Sequence, residues 1–297
     1  MNSIQKTGLL LATVLVSGLL IHAVSTETKN KITNQISAQY FPSTIDFAGE
    51  NVPLSISDVK ERLDRELLVN ANLHSSTLLI LKRANRVFPI LEPILKENGV
   101  PDDFKYLAVI ESNLTNAVSP AGARGVWQFM PATGKEFGME ISETVDERYH
   151  LEKATQAACK YLIEAKNKFG NWTLAAAAYN GGSAGVNKQI DNQKVNSYYD
   201  LLLNEETSRY VFRILALKEI MKNPDKFAFN IVPEDLYKSI PTKKIAVNSS
   251  IDNLAQFAKD QGINYKILKI HNPWLRETRL DNLAKKEYLL EIPLSGY

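Results

Sequence analysis

Glu111 is the residue of this sequence that is best suited to proton-transfer chemistry. It is the one acidic residue in the segment from Tyr106 to Ser112, which is otherwise mainly apolar. An ionised carboxylate is costly to bury, and a carboxyl group on an apolar helix face is often kept for chemistry. Three segments downstream could complete a site, namely Gly-Val-Trp-Gln at 125–128, Ala-Tyr-Asn-Gly-Gly at 178–182 and Glu-Thr-Ser-Arg-Tyr at 206–210.

Helical periodicity places Glu111 among apolar side chains. Pro101 and the two aspartates after it favour a first helical turn, because proline fits there and acids suit the helix dipole. The residues that share a face with Glu111 are Phe104, Leu107 and Ala108. Such surroundings raise a carboxyl pKa, so Glu111 is predicted to protonate a leaving oxygen, as the general acid of a glycosidase does on a sugar polymer. A structural role, such as pairing with Arg124, remains open from these residues alone.

Composition limits the classes of protein to which the chain can belong. Its 297 residues suggest one large and one small domain, or two medium ones, and 44% hydrophobic with 23% charged residues is typical of soluble globular proteins. A net charge of +2 without a basic run predicts no nucleic-acid binding. The single Cys159 excludes an intramolecular disulfide, and the four histidines lack ligand spacing, so no metal and no cofactor is expected.

Residues 1–25 have the pattern of an export signal. Lys6 precedes an uncharged apolar stretch at 8–24, and small residues surround Ala23. At 1.5 Å per residue this stretch spans about 25 Å, less than the roughly 30 Å hydrocarbon core of a bilayer. The sequence therefore favours a cleaved signal over an uncleaved anchor, and it predicts export to the periplasm or cell envelope with membrane association through this segment as the alternative.

The rest of the chain divides by pattern into a spacer and two folded parts. Residues 26–55 are polar without periodicity and predict a spacer, whereas 56–230 predict an all-α domain. Its first helix is expected to be capped by Ser57, and Pro89 with Pro93 is expected to break or kink the second. Residues 240–297 predict strand–helix–helix–strand, a small α+β module.

In their order and spacing, the four segments resemble the soluble-lytic-transglycosylase family, glycoside hydrolase family 23. Glu111–Ser112 matches the catalytic Glu-Ser motif, and 117–133 matches the Gly-Leu-Met-Gln block with its lead-in. The segments at 178–182 and 206–211 match the Ala-Tyr-Asn block and the last block, so the resemblance covers about 87–221. Trp127, at a place where Met is commoner, is similar to the membrane-bound D type of the family, and Gly181 replaces a common Ala or Ser.

The resemblance implies a lysozyme-like helical fold and a peptidoglycan substrate. The family cleaves the β-1,4 bond between N-acetylmuramic acid and N-acetylglucosamine without water and closes a 1,6-anhydro ring, so Glu111 would act as acid and then as base. It also implies the following substrate-binding residues: Ser112, Ser119, Gln128, Met130, Tyr179, Asn180, Glu206 and Tyr210. Trp127 and Met130 are expected to wall the cleft.

Each of these residues also has a structural interpretation. Gln128 could be a helix-surface glutamine, and Tyr179 with Tyr210 could be ordinary core tyrosines or could hold Glu111 in place. Asn180 before two glycines suits a left-handed turn, and Glu206 at a helix start suits a capping or orienting role.

Residues 242–294 are similar to a LysM peptidoglycan-binding module, on the segments 252–255, 268–274 and 290–293. The usual Gly-Asp-Thr-Leu start is degraded to Ser-Ile-Asp-Asn at 250–253, so glycan binding and a structural remnant both remain open. Three functions therefore remain open: a lytic transglycosylase acting on glycan strands, a hydrolysing muramidase of the same fold, and a non-catalytic envelope protein that binds peptidoglycan.

Overall fold

The computed structural model describes residues 40–295, which are mainly helical with a small C-terminal sheet, as the sequence predicts. The helices are α1 Ser57–Asn72, α2 His74–Glu97, α3 Phe104–Ser112, α4 Pro131–Glu136, α5 Leu151–Phe169, α6 Trp172–Gly181, α7 Ser183–Gln193, α8 Glu205–Lys222, α9 Leu254–Asp260 and α10 Tyr265–His271. The strands are β1 Asp46–Phe47, β2 Glu50–Asn51, β3 Thr242–Val247 and β4 Tyr288–Pro293. Short 3-10 turns connect several of them.

Helix α8 is the centre of the helical domain. It packs against α1, α3 and α6, while α5 packs against α2 and α6. Most residues of its middle turns are buried, with Phe212 and Leu215 in the core. Burial on this scale stabilises a helix far more than its intrinsic propensity does. The packing of α3 on α8 is the contact that positions the candidate site.

Helix α2 runs through both of its prolines without interruption, so the expectation that they break it is wrong. Each proline lacks one backbone donor, but Leu91 and Leu95 on the same helix are fully buried. Packing of this face holds the helix together across the missing bonds. Ser57 does not cap α1 either, because it is the first helical residue and Ile56 occupies the N-cap position.

Residues 40–55, which were assigned to the spacer, fold onto the helical domain instead. Strands β1 and β2 form an antiparallel hairpin, and Phe47 is fully buried with its ring 5.1 Å from that of Phe104. Lys218 donates to the Asp103 carboxylate at 2.6 Å and to the Asp46 carbonyl at 2.7 Å. Strands of two residues are too short for periodicity to reveal them, so the pattern missed this element.

The C-terminal module has the predicted order of strand, helix, helix, strand. Strands β3 and β4 pair antiparallel from Thr242 opposite Pro293 to Val247 opposite Tyr288. The core of the module includes Leu268 and Leu290, and it also includes Val145 from the segment before α5. The module therefore packs directly on the helical part of the chain.

Within residues 40–295, none of the helices is long and apolar enough to cross a membrane. The apolar stretch at 8–24 lies outside the described residues, so its interpretation as a signal or anchor stays a prediction. Apart from residues 40–55, the domain limits drawn from the sequence stay predictions as well.

Candidate active site

Glu111 lies in the last turn of α3, with its half-buried carboxyl group against α8. The helix ends directly after it, because Asn113 adopts a left-handed conformation with φ 51° and Leu114 follows with φ 57°. Asparagine tolerates this conformation better than most residues. The chain thus leaves the helix next to the acid.

The hydroxyl of Tyr210 on α8 donates a hydrogen bond to Oε1 of Glu111. Burial raises the pKa of Glu111 from 4.5 to about 7, although the Tyr210 hydrogen bond and the Arg213 charge lower it. The charge of Glu206 raises the pKa further. A carboxyl group with this pKa keeps its proton in part of the population at neutral pH and can donate it to a substrate.

Arg124 does not pair with Glu111, so the structural alternative based on that pair is not found. Its guanidinium lies 3.4 Å from the Asp146 carboxylate instead. The arginine that acts on Glu111 is Arg213, which also donates to the Ile110 carbonyl at 3.4 Å. Arg213 lies three residues after Tyr210, on the same face of α8, and helical spacing from Tyr210 could have suggested it.

Residues 117–130 form a loop that we call the Gln128 loop. Gln128 is not on a helix surface: its φ is 51°, and its Nε2 donates to the carbonyls of Ala117 at 3.0 Å and Gly125 at 2.7 Å. Ser119 closes the start of the loop, since its Oγ accepts from the Ala123 amide at 3.0 Å. Both side chains therefore use polar groups to fold the loop.

Three neighbours attach the Gln128 loop to the helices. Ser112, which is buried, donates from Oγ to the Val126 carbonyl at 2.8 Å, and Tyr179 donates from its hydroxyl to the Trp127 carbonyl at 2.7 Å. The hydroxyl of Tyr179 thus holds the loop, whereas that of Tyr210 holds Glu111. The Trp127 side chain is fully buried and donates to Thr155, so the expectation that it walls a cleft is wrong. Met130 is 41% exposed and can line a cleft.

Asn180 links α6 to the start of α8. Its Nδ2 donates to Glu206 at 2.8 Å, and its Oδ1 accepts from the Thr207 hydroxyl at 2.8 Å. Asn180 has helical backbone angles, and the left-handed residue is Gly182 with φ 74°, so the left-handed interpretation of Asn180 is wrong.

Glu206 does not cap α8, because the side chain of Asn204 accepts from the Thr207 amide. Glu206 orients Asn180 instead. A Cβ on Gly181 would lie 3.0 Å from Thr207, which explains the glycine there.

Asp146 and Arg148 hold the far side of the Gln128 loop, and sequence reasoning missed them. Both are buried and paired, with Arg148 Nη2 at 2.7 Å from Asp146 Oδ2. Nη1 of Arg148 donates to the carbonyls of Gly122 at 3.1 Å and Phe129 at 3.2 Å. A Cβ on Gly125 would lie 1.8 Å from the Arg148 carbonyl oxygen, so the loop can pass only as glycine there. No local pattern predicts a contact between segments this far apart.

A separate cavity of 320 Å³ lies between the helical domain and the C-terminal module and does not include Glu111. Its lining includes Arg86, His150, Trp274 and Glu291. Neither Glu152 nor Glu291, the carboxyl groups of that lining, accepts a hydrogen bond from a tyrosine as Glu111 does. The candidate active site is therefore assigned from the surroundings of Glu111 and not from the size of a cavity.

Fold and site together define a helical domain with a half-buried, partly protonated carboxyl group that is fixed by a tyrosine hydroxyl. Residues 88–202 match the family model of the transglycosylase SLT domain. Residues 243–296 match the family model of the soluble lytic transglycosylase C-terminal LysM-like domain. The chain therefore contains an SLT transglycosylase domain at 88–202 and a LysM-like domain at 243–296, as the four segments and the tail indicated.

Among characterised proteins, the chain is similar to membrane-bound lytic murein transglycosylase D of Escherichia coli strain K12. The two are 28% identical over 243 residues, which are 79% of this chain and 52% of the relative. The chain thus spans about half the length of that relative.

Two solved structures are similar in part. An inactive mutant of lytic transglycosylase Slt from Pseudomonas aeruginosa matches 51% of this chain and 26% of its own, with 22% identity and a TM-score of 0.37. The soluble lytic transglycosylase of 70 kDa from Escherichia coli matches 62% of this chain and 34% of its own, with 19% identity and a TM-score of 0.42.

Proposed function

We propose that the protein is a lytic transglycosylase of peptidoglycan. It cleaves the β-1,4 bond between N-acetylmuramic acid and N-acetylglucosamine and leaves 1,6-anhydro ends. The observation that carries the proposal is the carboxyl group of Glu111, whose pKa is raised to about 7 beside the Tyr210 hydroxyl. The match of residues 88–202 to the SLT family model and the murein transglycosylase among the relatives support the same substrate.

In the proposed mechanism Glu111 carries out both proton transfers. It first protonates the glycosidic oxygen, so that the bonding electrons leave with the N-acetylglucosamine hydroxyl. Glu111 is then a carboxylate, and it removes the proton of the muramyl 6-hydroxyl as that oxygen bonds to the anomeric carbon. Donation of the proton creates the base that the second step needs. The substrate's own acetamido group meets the positive charge that develops on the sugar.

One carboxyl group is sufficient for this reaction, whereas most glycosidases use two that flank the scissile bond. Glu206 is the neighbouring acid that acts on Glu111, but it is exposed and accepts a hydrogen bond from Asn180. We assign Glu206 to orienting Asn180 at the sugar, and Met130 to lining the substrate site. Ser112, Ser119 and the amide nitrogen of Gln128 are already engaged in folding the Gln128 loop, so they support the site from within.

The proposed substrate implies a location outside the cytoplasm. Peptidoglycan lies in the cell envelope, and residues 1–25 have the pattern of an export signal. We therefore propose export to the periplasm or cell envelope, with membrane association through residues 8–24 if the segment is retained. Extraction of the expressed protein from membranes by high-salt buffer, compared with extraction by detergent, would distinguish a released form from an anchored one.

Digestion of purified murein, followed by mass spectrometry of the products, tests the activity. We expect muramyl ends that are lighter than hydrolysed reducing ends by the mass of one water molecule. The Glu111→Gln variant is the control, and it should give no products. A hydrolysing muramidase would give reducing ends, and a protein that only binds peptidoglycan would give intact murein with both forms.

A further inference from the structure

The segment from residue 140 to residue 150, which precedes α5, is shared between the helical domain and the C-terminal module. We call it the docking segment. Val145 is fully buried in the core of the module and pairs with Leu275 in an isolated β-bridge. The Asp146 amide donates to the Trp274 carbonyl at 2.9 Å, and the Arg276 amide donates to the Thr144 carbonyl at 2.8 Å. Backbone hydrogen bonds in both directions fix the docking segment to the module.

Side chains of the module hold the same segment along its length. The Tyr288 hydroxyl lies 2.8 Å from the Glu140 carboxylate, and Lys286 lies 3.3 Å from the Glu147 carboxylate. The Arg276 guanidinium lies 4.1 Å from the centre of the Tyr149 ring. These contacts surround the docking segment with groups that belong to residues 274–288.

The docking segment in turn holds the Gln128 loop. The Asp146 amide is bonded to the module, while the Asp146 carboxylate holds the Arg148 guanidinium at 2.7 and 2.9 Å. Arg148 donates to two carbonyls of the loop, those of Gly122 and Phe129. One residue, Asp146, thus connects the backbone of the module to the clamp on the loop.

The other side of the Gln128 loop is held by the catalytic side of the helical domain. Ser112, the neighbour of Glu111, bonds the Val126 carbonyl, and Tyr179 bonds the Trp127 carbonyl. The loop is therefore hydrogen-bonded on two sides. The support on one side depends on α3 and α6, and the support on the other side depends on a segment that the module fixes.

We propose that the C-terminal module is a positioning device for the active site. By holding the docking segment, it fixes the Asp146–Arg148 clamp, and the clamp sets the position of the Gln128 loop and of Met130 relative to Glu111. Val145 and Arg276 are the positioning residues of this contact. The structural part of the proposal stands on the contacts alone, and its kinetic part rests on the proposed function.

Hydrogen exchange tests the structural part without any need for cleavage. In the full-length Glu111→Gln protein, Val145→Ala should accelerate amide exchange in residues 117–130 by about tenfold, because the support of the clamp opens more often. The amides of Arg124 and Gly125, which are bonded inside the loop, report this most directly. Val59→Ala is the matched control, since Val59 is equally buried but lies in α1. Equal exchange in the two variants would overturn the proposal.

Arg276→Ala is a second variant that leaves both cores intact, because the residue is exposed and its guanidinium is the part that contacts the Tyr149 ring. It should accelerate exchange of the same loop amides by about threefold, and Arg276→Lys should restore part of the protection. If Arg276→Ala leaves the loop amides unchanged while Val145→Ala unfolds the protein, the positioning role is refuted.

Kinetics on murein tests whether the module also affects catalysis. We expect Val145→Ala to lower kcat/KM by about tenfold more than Val59→Ala does when both are assayed well below their melting temperatures. Equal kinetic losses in the two variants would overturn the positioning of the active site. If the unsubstituted protein does not cleave murein at all, the proposed function fails, while the exchange experiment still decides the structural coupling.

Discussion

The carboxyl group of Glu111 is subject to opposing effects that set its protonation. Burial raises its pKa, the hydrogen bond from Tyr210 and the charge of Arg213 lower it, and the charge of Glu206 raises it again. The result is a pKa of about 7, at which the group can give up a proton and take one back. Changes to single neighbours should therefore shift the pH profile in opposite directions.

Glu111→Gln should make the protein more stable above pH 7. The pKa of Glu111 is about 7 in the folded protein against an ordinary value of 4.5, so the folded state binds the proton more tightly. Stability is then lost as the pH rises from 4.5 to about 7, and at higher pH the loss is on the order of 3 kcal/mol. Glutamine does not ionise and avoids this loss. Denaturant unfolding of both forms at pH 4 and pH 8 checks it, and a difference that does not grow with pH would contradict the assignment.

The pH profile of cleavage should move with the neighbours of Glu111. Activity requires the protonated acid, so kcat/KM should fall as the pH rises past about 7. Tyr210→Phe removes a hydrogen bond that lowers the pKa and should move this fall to higher pH, whereas Glu206→Gln removes a like charge and should move it to lower pH. Tyr179→Phe is the control, because its hydroxyl donates to the Trp127 carbonyl. Shifts of the same sign in Tyr210→Phe and Glu206→Gln would refute this account.

At this scale the sequence predicted the position of Glu111 but not every contact around it. Apolar periodicity was sufficient to place Glu111 on a buried face, and the structure has it there. The direction of a side chain is set by contacts that no pattern encodes, which is why Trp127 was expected at a cleft and lies in the core. Arg148 carries no local signal at all, since its partners on the Gln128 loop are 19 and 26 residues away.

The Gln128 loop lies next to the acid, because Ser112, the neighbour of Glu111, bonds its backbone. Its backbone is bonded by Ser112 and Tyr179 from one side and by Arg148 from the other. Gly125 passes directly over the Arg148 carbonyl, and this close approach is possible only without a side chain. Gly125 and the buried Arg148 therefore determine where this side of the loop lies.

Gly125→Ala should be far more damaging than Gly122→Ala. Both glycines have positive φ, at 82° and 89°, but an added Cβ at Gly125 would lie 1.8 Å from the Arg148 oxygen, whereas one at Gly122 has no atom within 4 Å. Gly122→Ala should cost about 1 kcal/mol of strain, and Gly125→Ala should exceed the roughly 3 kcal/mol that bounds most substitutions. Thermal unfolding measures both. Equal losses would show that the loop can move away from Arg148.

Long amphipathic elements were predictable, and short ones were not. The apolar stripe at 151–169 gives α5 with its end at Gly170, as expected. The hairpin of β1 and β2 has two residues per strand, and its position is set by Phe47 in the core and by the Asp103–Lys218 pair. Such tertiary contacts determine the structure of segments that are too short to show a periodic sequence pattern.

In the whole molecule the helical domain and the module share part of a core. Val145 and Tyr149 come from the helical part of the sequence, yet both lie in the apolar cluster of the module. The sequence indicated a separate module at 240–297. The contacts instead make the module a support for the segment that leads into α5.

Removal of residues 240–297 should therefore destabilise the helical domain. Val145 and Tyr149 would be exposed, and we expect the melting temperature to fall by roughly 5 °C or more. Removal of residues 1–25 is the control and should leave the melting temperature unchanged. A C-terminal truncation that melts at the temperature of the full-length protein would show that the shared core contributes nothing to the helical domain.

The central claim is that Glu111 transfers protons within the substrate and that no water enters the product. Digestion of murein in water labelled with heavy oxygen tests this directly, with a hydrolysing lysozyme as the positive control. The account predicts unlabelled 1,6-anhydro ends from this protein, labelled reducing ends from the lysozyme, and no products from Glu111→Gln. Incorporation of one heavy oxygen at each new muramyl end would contradict the account and would identify the protein as a hydrolase.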